Sequence, residues 1–270
     1  MHSILLALLL FSMATFGQSV NTRLGARAAA LGYASFALTD EATFFNNPGA
    51  SAWNSVANGF FSYEVAASLP GANRTAAGIL IPVGSGCLGA GLFRFGDDLY
   101  SEQFLAAGFS HRLGNTSLGA RVQYVQYNAH GYETRIAVTL DVGGLIKITP
   151  EWSIGAGISN VTQTFIASEG PLPMIFSAAL AWQAPRGPLI TSEVEKQLGN
   201  PLRIKGGIEV PLYQKLFMRT GFGLNPVTLS LGLGAKTRRS SFDFSTTYHP
   251  SIGFFNQASA AYRFGKTPSS

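Results

Sequence analysis

The chain has 270 residues, of which 46% are hydrophobic and only 12% charged, with 31 glycines, one cysteine and a formal net charge of +5. Soluble domains carry about 25% charge, and disordered chains carry more charge and fewer apolar residues, so this chain is neither disordered nor an ordinary charged globule. One thiol excludes an internal disulfide scaffold, and after residue 17 no apolar run reaches 18 residues, which excludes membrane-spanning helices and leaves an all-β chain, soluble or membrane-embedded.

Ile4 to Phe11 is an apolar run, followed by small residues ending in Thr15-Phe16-Gly17-Gln18. This predicts a secretory signal peptide over 1–17 and an exported protein. No cysteine lies near the cut, so no lipid anchor is expected there. Residues 18–57 follow, dominated by Ala, Gly and Ser, a composition that packs closely. Thr39 or Asp40 can cap a short helical turn, which Asn47-Pro48-Gly49 would end.

From residue 58 the chain breaks into short alternating segments bounded by turn residues, with no sustained helical period. Fourteen are predicted: 59–68, 73–83, 86–95, 102–113, 116–127, 133–148, 152–159, 174–183, 189–196, 202–210, 215–223, 227–236, 240–249 and 254–264. A membrane strand needs about 9–11 residues, and most of these fit. The segment 133–148 is longer and holds Gly143-Gly144, which predicts a bend or an extension past the bilayer.

The alternation has one apolar side and one lean polar side. In 202–210, Leu202, Ile204, Ile208 and Val210 oppose Arg203, Lys205, Gly207 and Glu209. In 116–127, Leu118, Ala120, Val122 and Tyr124 oppose Ser117, Gly119, Arg121 and Gln123. In 240–249, Phe242, Phe244 and Tyr248 oppose Ser241, Asp243, Ser245 and Thr247. A soluble sandwich would carry more Lys and Glu on its wet face; a small, polar second face suits a crowded lumen. Phe60, Phe61, Phe95, Tyr100, Tyr127, Trp152, Trp182, Tyr213, Tyr248, Tyr262 and Phe264 lie near segment ends and predict two interfacial girdles.

Turns after even-numbered segments are short, as at Gly84-Ser85, Gly114-Asn115 and Thr237-Arg238-Arg239. The longest connection, 160–173, falls on the opposite side, as a barrel with both termini periplasmic requires. The last segment closes on Tyr262-Arg263-Phe264, followed by a tail over 265–270. The fold class expected is therefore an all-β, transmembrane antiparallel barrel over 58–264 of about 14 strands, with 18–57 as an N-terminal plug or hatch.

The opening of the mature chain resembles a known family. The runs Gly25-Ala26-Arg27-Ala28-Ala29-Ala30-Leu31-Gly32, Ala37-Leu38-Thr39-Asp40-Glu41-Ala42-Thr43 and Phe45-Asn46-Asn47-Pro48-Gly49 are similar to the start of the FadL/PorV superfamily, and the last resembles the PorV/PorQ branch most. Late strands carrying Met218-Arg219-Thr220-Gly221-Phe222 and Leu231-Gly232-Leu233-Gly234 follow the same pattern. The resemblance implies a fourteen-stranded barrel with a hatch in the outer membrane of a Gram-negative bacterium. It also implies one of two activities: binding or passage of a hydrophobic small molecule, or an accessory role in the type IX secretion system beside a translocon or cargo protein. The hatch motif residues it singles out are Gly25, Arg27, Asp40, Glu41, Asn46, Asn47 and Pro48.

The residues themselves nominate a lumen network. Glu64, Arg112, Arg121, Arg135, Asp141, Glu193, Glu195, Arg203, Lys205, Glu209, Arg219, Asp243 and Arg263 fall on the polar faces, with opposite signs on adjacent segments. Enclosed charges must pair. The set reads either as a brace between wall and hatch or as a polar track, with Arg203 or Arg219 holding a ligand carboxylate. Nothing points to catalysis, a cofactor or a metal. The Gly84-Ser85-Gly86-Cys87-Leu88-Gly89 run lacks the helix a phosphate loop needs. His111, His130 and His249 have no ligand spacing, and neighbours Ser110 and His111 point to opposite faces of a strand. The Lys236 to Arg239 cluster sits in a turn and suits contact with outer-membrane lipid rather than nucleic acid.

Overall fold

The computed structural model describes residues 23–164 and 172–265; the predicted signal peptide and most of the C-terminal tail lie outside them. Fourteen strands follow a short helical segment among the described residues. They are β1 (Asn58–Ala66), β2 (Arg74–Val83), β3 (Gly86–Gly96), β4 (Tyr100–Leu113), β5 (Thr116–Ala129), β6 (Arg135–Lys147) and β7 (Trp152–Ser159), then β8 (Ile175–Gln183), β9 (Leu189–Gln197), β10 (Arg203–Tyr213), β11 (Leu216–Leu224), β12 (Thr228–Lys236), β13 (Ser240–His249) and β14 (Gly253–Arg263). Each pairs antiparallel with its sequence neighbours, and β1 closes on β14 from Asn58↔Arg263 to Ala66↔Phe255. Closure leaves no free edge, which is the condition for a sheet to stand in hydrocarbon.

Every predicted segment coincides with a strand. Most bounds differ by one to three residues, and two of these differences have a structural reason. The segment 202–210 runs on to Tyr213 through a register shift between Pro211 and Tyr213. The segment 133–148 starts at Arg135 and neither bends nor breaks at Gly143-Gly144, because Gly143 pairs on both sides, with Gly119 and Gly157. Its missing side chain has another use, described below.

The barrel is inverted relative to a soluble core. Phe61, Leu105, Leu118, Val122, Leu229, Leu231, Leu233, Phe242 and Phe244 are exposed on the outer face. Gln123, Thr139, Glu193, Ser230, Ser245 and Gln257 are buried inside. A continuous apolar exterior of this kind is costly in water and stable in lipid.

The segment before β1 lies inside the barrel. It comprises α1 (Ala26–Ala30), α2 (Thr43–Asn46) and a 3-10 helix (Pro48–Trp53). Gly25 enters α1 at φ 102, a left-handed conformation that strains other residues, and a Cβ there would meet Ala42 and Phe60. Asp40, rather than Thr39, anchors the turn into α2: its Oδ1 accepts from Ala42 N at 3.0 Å and its carbonyl accepts from Thr43 Oγ1. Asn47-Pro48 ends α2 and also starts the next helix. Asn47 Oδ1 accepts from Gly49 N at 3.0 Å, and Pro48 stands where no backbone donor is needed.

Glycines on the inner wall receive this segment. A Cβ at Gly207 or Gly221 would strike Leu31, at Gly155 the backbone of Phe36, at Gly89 or Gly108 the ring of Phe44, and at Gly143 the Asn47 side chain and Pro48. Strand glycines commonly mark the close approach of another backbone. Here they form a belt that lets hatch and wall pack directly together.

Candidate functional site in the lumen

The lumen holds an apolar cluster and a charged network that share several strands. Phe60 of β1, Leu80 of β2, Phe93 of β3, Phe104 of β4, and Val125 and Tyr127 of β5 form an apolar wall against Phe44 and Phe45 of α2. Phe93 and Phe104 stack with centroids 5.0 Å apart, Phe45 lies 6.4 Å from Phe104, and Phe44 meets Phe45 edge-on at 5.5 Å. These separations lie in the range where aromatic pairs contribute beyond buried area. This corrects the girdle expectation for four residues. Phe60 and Tyr127 are buried inside the barrel, and Phe95 packs on the same inner cluster. Alternation of polarity cannot assign a face where the lumen is itself apolar. Tyr100 lies on the inner face of β4, its hydroxyl donating to buried Glu102 at 3.0 Å, while Phe61, Trp152, Tyr213, Tyr248, Tyr262 and Phe264 face outward.

A charged, paired network fills the rest of the inner face and extends onto β1, β2 and β5 beside that cluster. Glu193 of β9 is 1% exposed. It accepts from Arg23 at 3.2 Å, from Lys205 at 3.4 Å and from the backbone N–H groups of Ser35 and Phe36 at 3.0 Å each. Glu195 takes Lys205 at 2.7 Å and Arg203 at 3.2 Å. Glu209 bridges Arg27 of the hatch at 2.8 Å and Arg219 of β11, and Arg219 reaches Asp243 at 2.6 Å. Tyr33 donates to Glu64 at 2.9 Å, and Arg74 pairs with Glu64 at 3.0 Å. Arg121 links Asp141 to the carbonyl of Phe44, the latter at 2.6 Å. Of the lumen candidates, Arg112 is placed otherwise. It is exposed at the short-turn end, with its guanidinium 4.8 Å from the Trp53 ring centroid.

The hatch motif residues serve the same assembly. Arg27 also pairs with Asp40 at 3.2 Å, and Glu41 pairs with Arg263. Burial alone would raise the Glu41 carboxyl, but Lys236 and Arg263 outweigh it and hold it below the usual carboxylate range. Asn46 exchanges both amide bonds with the backbone of Leu24, at 2.8 and 2.9 Å. Asn47 donates to Phe36 O at 2.7 Å and to Gly144 O of the wall at 2.9 Å. Sequence reading missed Arg23, whose guanidinium joins Glu193, Ser177 and the Asn46 carbonyl. The signal was a second cation, four residues before Arg27, in a segment of small residues.

These pairings leave Arg219 little capacity for a ligand, since two carboxylates already occupy it. Arg203 differs: its side chain is 42% exposed. Arg203→Gln is expected to cost less than about 1 kcal/mol, as exposed pairs do. Arg219→Gln leaves Glu209 short of one cation and is expected to cost about 3–5 kcal/mol. The midpoint of the folded-to-unfolded mobility shift on unheated gels, followed against urea, checks both.

A second concavity lies on the opposite surface of the wall. An apolar groove of about 820 Å³ runs across β5 to β10, lined by Leu118, Ala120, Val142, Phe176, Ala178 and Val194. Its floor includes Gly119 and Gly143. Directly behind those glycines sit Asn47, Pro48 and Gly49 of the hatch. Groove and lumen are thus separated there by one layer of backbone.

No family model matches the chain, and no curated protein matches it. Solved structures do. The chain is similar to the Pseudomonas putida toluene transporter TodX, with TM-score 0.70, 11% identity, and 89% of this chain and 97% of that one covered. It is similar to a Pseudomonas aeruginosa FadL homologue at TM-score 0.67 and 12% identity, covering 89% and 98%. At such identity the likeness is one of fold, that of the closed antiparallel β-barrel.

Proposed function

We propose that this chain, with a hatch over 18–57 and a barrel over 58–264, sits in the outer membrane of a Gram-negative bacterium and binds or passes a hydrophobic small molecule. One observation carries the reading. Phe60, Phe93, Phe104 and Tyr127 form an apolar cluster on the inner wall, and the hatch presents Phe44 and Phe45 to it. A water-filled pore has no use for such a wall, whereas an apolar ligand could replace the hatch rings there at little cost. The fold shared with a toluene transporter and a FadL homologue supports the same class of ligand. The groove behind Gly119 and Gly143 supports a route between lumen and membrane that avoids water.

The lumen charges fit the bracing role: apart from Arg27–Asp40, which lies within the hatch, each named pair joins wall to wall or wall to hatch. The secretion-accessory reading rested on Phe45-Asn46-Asn47-Pro48. In the structure Phe45 packs inside, and Asn46 and Asn47 direct their amides to internal carbonyls, so the run is accounted for without a partner.

The test is saturable binding of a nonpolar fluorescent probe to the detergent-solubilised barrel, with toluene and a long-chain fatty acid as competitors. Phe104→Ala removes a stacked ring from the wall and should weaken binding about tenfold. An absence of saturable binding, or competition by neither compound, defeats the reading.

A further inference from the structure

The two ends of the barrel carry opposite charge. The short turns at the end where β1 begins and β14 finishes are 84–85, 114–115, 148–151, 184–188, 214–215 and 237–239. They hold Arg186, Lys215, Arg238 and Arg239, against the single carboxylate of Glu151. The described residues of the opposite loops carry Asp97, Asp98 and Glu133 and no Lys or Arg.

The cations of these turns lie on one arc, whereas Arg112 and Lys147, at strand ends of the other arc, stand over the Trp53 ring of the hatch. All four cations fall in three successive even-numbered turns, those joining β8–β9, β10–β11 and β12–β13, while the turns after β2, β4 and β6 have none. All four are exposed, and none has a carboxylate partner among the described residues. They therefore do not serve the lumen network. Their depth is marked by aromatics on the same arc. Tyr213, 78% exposed, lies two residues before Lys215. Outward-facing Tyr262 is paired with Ser240, next to Arg239, and Phe264 follows it. Outward aromatics sit at the boundary between hydrocarbon and headgroups, so cations one or two residues beyond them stand at phosphate level.

We propose that this arc is a binding surface for anionic glycerophospholipid headgroups, which Arg186, Lys215, Arg238 and Arg239 engage through their phosphates. The inference rests on the membrane reading above and adds to it a lipid class, a leaflet-facing end and a position on the wall. Phosphate within the bilayer surface, rather than an acidic soluble protein, is the occupant because the cations adjoin the membrane-facing aromatics and not the mouth of the lumen.

The test uses the full barrel reconstituted into bilayers of neutral phosphatidylcholine containing one-fifth phosphatidylglycerol. The readout is the motionally restricted fraction of spin-labelled phosphatidylglycerol relative to spin-labelled phosphatidylcholine. The wild-type barrel should retain the anionic label preferentially at low salt and lose that preference at high salt. The variant R186Q/K215Q/R238Q/R239Q should lower the preference at least about fivefold. R94Q, a strand cation outside these turns, should leave it in place. A barrel that inserts yet ignores the charged lipid overturns the proposal, as does a preference that survives the four substitutions. Insertion is scored separately, by the gel-mobility shift in purely neutral bilayers; a chain that inserts in neither bilayer overturns the membrane reading and this proposal with it.

Discussion

Replacing Glu193 by alanine should unseat the N-terminal segment and cost about 3–5 kcal/mol. The carboxylate is buried and is the meeting point of two cations and two backbone donors, namely Arg23, Lys205, Ser35 N and Phe36 N. Alanine leaves Arg23 with Ser177, the Asn46 carbonyl and, as its one carboxylate, Glu195 at 4.0 Å, and it strands the two amide donors. Glu193→Gln keeps an acceptor and the shape but not the charge, so it should fall between. The expected readout is a lowered urea midpoint and a rise in ion conductance across planar bilayers as the hatch loosens. An alanine variant with wild-type midpoint and a silent pore would mean that the hatch is held elsewhere.

A larger structural insult is expected from Gly221→Val. A Cβ at this position would overlap the backbone of Leu31 and Gly32. Backbone on both sides cannot yield as a flexible side chain can. Overpacking costs typically about 1–3 kcal/mol in a core that can adjust, and more where it cannot. The strand itself tolerates valine well, so the barrel should still form. The damage should appear in the hatch: open conductance, together with protease cleavage inside 23–57 that the wild type resists. Gly199→Val is the matching control, because a Cβ there meets nothing, although its φ of 84 adds local strain. Equal conductance from both variants would remove the glycine belt from the account.

Much of this architecture could be read from the chain. The segments now seen as β7 and β13 were expected at the bounds observed, because turn residues and period-2 alternation coincide there. Which charges share the lumen was also legible, since parity alone puts Glu193, Glu195, Arg203, Lys205 and Glu209 on one face. Two things were hidden. The inward aromatics Phe60 and Tyr127 look identical in sequence to membrane-facing ones, because alternation reports two faces but not which apolar face is enclosed. The partners supplied by the hatch were hidden as well. Arg23 meets Ser177 and Glu193 across 154 and 170 residues, a distance over which no local pattern carries information. Gly143 was misread for the same reason: its role is to accept Asn47 and Pro48, not to bend its own strand.

The backbone-to-backbone fit between the N-terminal segment and the glycine belt constrains the order of assembly. α1 touches β11 through β14, and the 3-10 helix touches β3 through β6, so the segment spans the tube from wall to wall. It also joins β1 through only the residues from Asn54 to Ala57. A piece that fills the bore on so short a tether is expected to be seated before β1 meets β14. The N-terminal segment would then act as a mandrel, and the seam that shuts the sheet around it would be the last ladder to zip.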